Sequence, residues 1–423
     1  MRGPVNRYLA AILCIIISSL CTCVKKYPAS NTTYEDPPKL NFAPKFSPAD
    51  DESDIENVRS ISNNICYQIA CAHSKETNTV FSPFGILISL MMILNGSEGN
   101  SKEQILAFIN SKSTSIASIN IETARLIRRL FYYQGCNNPR LRFANIMLID
   151  NKFQVKEAFL SLCALYYGTN IEKRDFSNVR SIVSEVNEWG RRSTGGFIED
   201  FIREDDLSEI LLLVSNSVYI NMKWKIGFPK EDTFREPFLS SNSESVNVPT
   251  MHLKSIFGFY QDEDCSALRI CYGDDVVMLI ILPKSSSDIP DVLRKTTPNK
   301  IDKIINELDE KYLYVALPKF TIRTRMNVKE VMERCGVRNI FTKSANLSNI
   351  STGDIYISEF RQESRISVDE EGTVASSVTL FEVKREEAYP DCFRVNRPFI
   401  FIIYHNNAKL ILYLGKVEMP ILK

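Results

Sequence analysis

The sequence predicts a single α+β domain built on large sheets. Two patterns point there. Apolar residues recur at helical spacing through the first half, and uninterrupted runs of β-branched and aromatic residues fill the second half. A third observation favours one domain over two: no repeat, low-complexity tract or linker divides residues 51–423, and a hydrophobic content of 44% is ample for one large core.

The elements follow in order. Ile55, Val58, Ile65 and Ile69 lie near helical period and predict a first amphipathic helix. Thr79 to Phe81 reads as a short strand, after which Ser82 and Pro83 open an apolar helix through Leu94. Ile182, Val186 and Trp189 mark a further helix, ended by Gly195 and Gly196. Leu211 to Ile220 and Val276 to Leu282 are nearly continuous apolar runs, the pattern of strands buried on both faces. Tyr312 to Ile322 and Phe399 to Leu414 add strand signal, the second broken by a turn at His405, Asn406 and Asn407.

Ahead of this domain, Arg2 and Arg7 precede an apolar run from Tyr8 to about Cys23 that ends among small residues. This is the pattern of an export signal over residues 1–23, with cleavage near Cys23. The run is short for a membrane span, although Lys25 and Lys26 would also flank an uncleaved anchor. Residues 24–50, with Pro37, Pro38, Pro44 and Pro48, read as a flexible tail. A secreted, extracellular protein is therefore expected. Sequons at Asn31, Asn95, Asn346 and Asn349 are candidate glycosylation sites.

Acidic and basic residues balance at 51 each, so no overall field would draw the chain to nucleic acid or to a membrane surface. One local basic face, Arg125, Arg128 and Arg129, could touch a glycosaminoglycan. The cysteines beyond residue 23 are irregularly spaced and have no histidine at ligand spacing, so neither a zinc site nor a disulfide framework is predicted. Of the three histidines, none accompanies a Gly-x-Ser-x-Gly elbow, and no glycine-rich phosphate cradle occurs. The chain is not expected to be an enzyme or to carry a metal or cofactor. A monomer is expected.

Several segments carry a family resemblance. Asn78 to Pro83 before a buried helix is one, and Asn216 to Ile220 followed by Lys223, Trp224 and Lys225 is another. Leu317 to Phe320 is a third. The most specific are Val368 to Thr373 and, beyond them, Phe393, Asn396, Arg397, Pro398, Phe399, Phe401 and Gly415 to Val417. In order and separation these resemble serpins over nearly the whole chain after residue 50. The resemblance implies a serpin fold: three β-sheets, about eight or nine helices, and an exposed reactive-centre loop over about residues 371–391. It also implies a suicide mechanism, in which an extracellular serine protease cuts the loop and is held in a covalent complex while the loop inserts as a new strand.

Ser82, Asn216 and Trp224 match the family in the region that opens to admit the loop, while Gly85 and Gln362 depart from it. Gln362 stands where many serpins carry a buried histidine, and its amide can both donate and accept, so a rebuilt hydrogen-bond network is expected there. In the loop, Glu370, Glu371, Gly372 and Thr373 form the hinge. From Gly372 onward one strand face would carry Thr373, Ala375, Ser377, Thr379, Phe381 and Val383, all small or apolar. Val374 replaces the glutamate usual in the family, which keeps a non-inhibitory carrier or chaperone in view. Family spacing counted from Gly372 places the scissile residue at Glu386, and counted back from Asn396 at Glu387. The residues themselves favour Arg385–Glu386, because Lys384 and Arg385 suit a trypsin-like pocket with an acidic base; Glu386–Glu387 and Glu387–Ala388 are the alternatives.

Overall fold

The computed structural model describes residues 55–73, 77–110, 115–132, 141–169, 171–194, 196, 200–204, 210–220, 222–273, 275–284, 289–373 and 391–421. The first helix, α1 (Glu56–Ala72), buries Val58, Ile61, Ile65 and Ile69, the spacing of one helical face. After β1 (Thr79–Phe81), helix α2 (Pro83–Gly96) begins at the cap residue Ser82, whose Oγ accepts from Gly85 N at 3.2 Å. Pro83 occupies the first turn, where its missing N–H leaves no bond unmade. Almost every residue of α2 is buried, which is why its sequence is apolar on all sides.

The chain continues through α3 (Gly99–Ile109), α4 (Ile116–Tyr132), β2 (Leu141–Asp150), α5 (Glu157–Tyr167), β3 (Ile171–Arg174), α6 (Val179–Ser193), β4 (Leu212–Ile220) and β5 (Met222–Lys223). Then come β6 (Thr233–Leu239), β7 (Ser245–Gln261), β8 (Cys265–Cys271), β9 (Val276–Pro283), α7 (Ile289–Lys295), α8 (Pro298–Asn306), β10 (Asp309–Pro318) and β11 (Phe320–Asn327). The last elements are α9 (Val328–Arg334), β12 (Glu359–Val368), β13 (Gly372–Thr373), β14 (Asp391–Arg394), β15 (Phe399–His405) and β16 (Leu410–Val417). Among the described residues there are nine α-helices and three sheets, as expected for the α+β class.

The main sheet has five strands in the order β11, β12, β4, β2, β3. A nine-stranded sheet runs β1, β16, β15, β9, β8, β7, β10, β14, with β6 also on β7. The two-residue ladder of β13 and β5 is the third. Helix α2 packs against both β16 and the β2–β4 pair, so it fills the space between the two large sheets. Strands β9, β15 and β16 are buried along their whole length, matching their unbroken apolar sequences.

The strand expected over Tyr312 to Ile322 is two strands in different sheets. β10 ends at Pro318, and β11 starts at Phe320 in the main sheet. Lys319 turns the corner, with its backbone N–H on Pro249 O at 2.9 Å. The alternating buried positions change phase at the break, from Leu313, Val315 and Leu317 before it to Phe320, Ile322 and Thr324 after it, inside a run that otherwise reads as one strand.

Candidate functional site at the hinge and the main-sheet seam

The hinge residues converge at the top of the main sheet. Strand β12 ends at Val368, and the chain turns back at once: Asp369 N donates to Gly372 O at 3.0 Å, and Asp369 Oδ1 accepts from Glu371 N at 2.9 Å and Gly372 N at 3.2 Å. Strand β13 then runs antiparallel to β5, pairing Gly372 with Lys223 and Thr373 with Met222. Gly372 has φ +141°, and a Cβ there would overlap Met222 O. Only glycine meets both demands.

Trp224 organises this turn. Its Nε1 donates to Asp369 O at 2.8 Å and its backbone N–H to Glu371 O at 3.0 Å, while Phe228 N donates to Glu370 O at 2.8 Å. The indole stacks on Tyr272 with centroids 4.3 Å apart and planes 11° apart. The Tyr272 hydroxyl shares a 2.7 Å hydrogen bond with the Thr373 hydroxyl, and Thr373 is fully buried. Burial drives the Tyr272 phenol well above its ordinary pKa, with the Thr373 contact pulling weakly the other way.

Two acidic residues brace the hinge. Glu370 is buried and accepts from Lys319 Nζ at 2.7 Å and from Thr233 Oγ1 at 2.9 Å. Burial alone would raise its carboxyl, but hydrogen bonds from Lys319, the backbone and Thr233 outweigh it and hold the group below the ordinary range. Glu371 pairs with Lys230 Nζ at 2.6 Å. The loop expected to be exposed from residue 371 is therefore buried at Gly372 and Thr373, because a glycine and a threonine fit beside Trp224 and Tyr272. Residues 374–390, including Ala375, Ser377, Thr379, Arg385, Glu386, Glu387 and Ala388, lie outside the described residues.

Below the hinge, β12 and β4 pair in parallel from Glu359 opposite Leu213 to Ser364 opposite Val218. Gln362 faces Asn216 across this seam, and both are buried. Gln362 Nε2 donates to Asn216 Oδ1 at 2.8 Å and to Ser82 O at 2.9 Å, and its Oε1 accepts from Ser82 N at 2.8 Å. Asn216 Nδ2 donates to Asn145 Oδ1, which also accepts from Ser89 Oγ. The expected network is present, with every polar atom of the Gln362 amide used. It joins α2 to three of the five strands: β12 through Gln362, β4 through Asn216 and β2 through Asn145. Above Ser364 the ladder ends, and β13 lies against β5 and beside the end of β12.

Sequence similarity now bears on this geometry. A family model for Serpin (serine protease inhibitor) matches residues 58–420. The chain belongs to the serpin family. A mouse serine protease inhibitor is 29% identical over 425 residues, 97% of this chain and 99% of that protein. Human serpin I2 is 28% identical over 357 residues, 82% and 87% of the two chains. The structure of human thyroxine-binding globulin complexed with thyroxine resembles this serpin in fold, with a TM-score of 0.80 at 21% identity over 87% of this chain and 100% of that one.

Other candidate residues of this serpin fall into place differently. Asn95 sits in the last turn of α2 with Nδ2 donating to Met91 O at 2.7 Å and Asn120 Oδ1 at 3.0 Å, and Ser97 of the same sequon is buried. Asn349 Nδ2 donates to Glu98 Oε1 at 2.9 Å, and Ser351 of its sequon is buried. Asn346 is exposed, as is Ser348, and Asn31 lies outside the described residues. Arg125, Arg128 and Arg129 are half-buried on α4, and each already has an interaction partner within the fold. Among the described residues the cysteines are free, no acidic, histidine or cysteine group could hold a metal, and no helix is long and apolar enough to cross a membrane.

Sequence reasoning missed Tyr272, Asn145 and the Lys319–Glu370 pair. Tyr272 is distant from Thr373 in sequence and carries no motif. Lys319 could have been suspected from the charge it sets between two strand patterns.

Proposed function

We propose that this serpin is a secreted suicide inhibitor of a trypsin-like serine protease. The observation that carries the reading is the inward orientation of Thr373 at the head of the seam. Strand side chains alternate, so a strand continuing in the same phase would turn Ala375, Ser377, Thr379, Phe381 and Val383 to the core. None of these is charged. The charged Glu382 and Lys384 would fall on the outer face. Cleavage after Arg385 would leave its carbonyl esterified to the protease serine and release Glu386 as the new amino terminus. Insertion of the upstream segment would then carry the acyl-enzyme away before water completes the reaction.

The test is incubation with a panel of trypsin-like proteases followed by denaturing electrophoresis. A complex that survives denaturation supports the reading, and a panel yielding only cleaved protein overturns it. Mass spectrometry of the released peptide distinguishes cleavage after Arg385 from cleavage after Glu386 or Glu387. Export is read separately, from the amino terminus of protein recovered outside expressing cells.

A second reading, a non-inhibitory carrier, draws on Val374, a branched residue where the family usually has glutamate, and on the likeness in fold to a hormone-binding globulin. Heating after loop cleavage separates the two. A molecule whose cleaved loop inserts gains a strand and a much higher melting temperature, whereas one whose loop stays outside does not.

A further inference from the structure

A second set of residues lies over the seam on the opposite face of the main sheet. Gln362 points inward, so its neighbour Glu363 points outward, yet Glu363 is only 1% exposed. What covers it is a pair of arginines from β11. Arg325 stands directly opposite Glu363 and donates Nε to its Oε2 at 3.2 Å, and Arg323 donates Nε to Oε1. Both arginines also donate through Nη2 to one backbone carbonyl, that of Asp200, at 2.6 Å from Arg323.

Asp200 belongs to the segment after α6, and the residues that follow it are anchored on the other side of the seam. Phe201 and Ile202 pack in one apolar cluster with Ile146 and Leu148 of β2 and Leu213 of β4. Their backbone N–H groups both donate to Asn187 Oδ1 of α6, at 2.7 and 2.8 Å. The Phe201 ring meets Trp189 of α6 edge-on at 5.3 Å. Since the strand order is β11, β12, β4, β2, this segment straddles the boundary between β12 and β4, tied by arginines on one bank and by apolar contacts on the other.

We infer that Arg323, Arg325 and Glu363 form a latch holding the Asp200 segment across the seam, and that release of this latch limits how fast a new strand can enter. The inference rests on the reading that the seam opens. A strand entering between β12 and β4 would bring Val374, Ser376, Val378 and Leu380 to the face the segment covers, so the segment must lift before they pass. Two charge-assisted hydrogen bonds converging on one carbonyl resist that lift more than apolar contact alone. Glu363 keeps the two guanidinium groups aimed, and this positioning role accounts for a carboxylate buried on an otherwise accessible face.

The experiment follows annealing of a synthetic peptide copying residues 373–384 into the intact protein, read as the rate at which labelled peptide becomes bound. The wild type is compared with the triple variant R323Q/R325Q/E363Q, which removes the latch without leaving a buried carboxylate unpaired. Annealing about tenfold faster in the variant is expected, the equivalent of about one charge-assisted hydrogen bond. Equal rates, or no annealing in either protein, overturn the latch. If the triple variant does not fold, Arg325→Gln alone is read the same way, with a gain of about threefold expected. Covalent complex formation with trypsin is scored in parallel. Faster annealing without a complex would leave the latch standing and remove the trapping reading. A complex with unchanged annealing would do the reverse.

Discussion

The hydroxyl of Thr373 meets that of Tyr272 at 2.7 Å, in a position where Thr373 has no access to water. Tyr272 follows β8 of the nine-stranded sheet, so this contact fastens the first loop residues to an element outside the main sheet. It also fixes the strand phase on which any account of insertion depends.

Thr373→Arg should therefore convert an inhibitor into a substrate, since the large charged guanidinium would have to be buried where Thr373 now packs against Tyr272. The protease should be released active, with complete loop cleavage on denaturing gels. Tyr272→Phe is milder: it leaves the threonine hydroxyl buried and unpaired and should lower stability by about 1–3 kcal/mol in urea unfolding.

Gly372→Ala should dislodge the hinge from β5. The added Cβ would collide with Met222 O, and the backbone is in a left-handed region that alanine resists. Hydrogen exchange should show lost protection at Thr373 and Trp224, while the amides of β12 below Ser364 keep theirs.

Gln362→Ala removes the side-chain bonds that Gln362 makes to Ser82 and Asn216 across the seam and leaves buried donors and acceptors unpaired. Stability should fall by about 2–5 kcal/mol, as for other buried truncations that also lose hydrogen bonds. Gln362→His should keep part of what the alanine variant loses, because an imidazole can still donate to or accept from one partner. Urea midpoints of the three proteins decide it.

The Glu370 carboxyl titrates below its ordinary value, so its pairing with Lys319 contributes fully above the unfolded pKa of about 4.3 and is lost as pH falls through the lower folded value. The urea midpoint of the wild type should exceed that of Glu370→Gln at pH 7. The two should converge below about pH 4. A constant difference between about pH 7 and about pH 3 would show that the ion pair contributes nothing to the fold.

Much of the architecture could be read from periodicity. Val58, Ile61, Ile65 and Ile69 form one helical face, and the runs at Val276 to Leu282 and Phe399 to Leu414 are strands because their apolar stretches are buried on both faces. Gln362 was readable as a network residue because an uncharged amide can satisfy both Ser82 and Asn216 at once. What could not be read are contacts set by distance in space. Tyr272, Asn145 and Asp200 carry no local signature, and the break at Lys319 shows only as a one-residue change of phase within a run of strand-like residues. The sequon at Asn95 gave no hint that its side-chain amide is hydrogen-bonded to Asn120 and Tyr167.

The parallel pairing of β12 with β4 has one more consequence. A segment returning from the top of β12 must run opposite to both neighbours, so its entry would exchange one slanted ladder for two perpendicular ones. Leaving again would require both to break, with only the single parallel ladder of β12 and β4 regained. A molecule that took up such a strand would behave like a fuse: it would act once, and its history would then be written into its backbone hydrogen bonds.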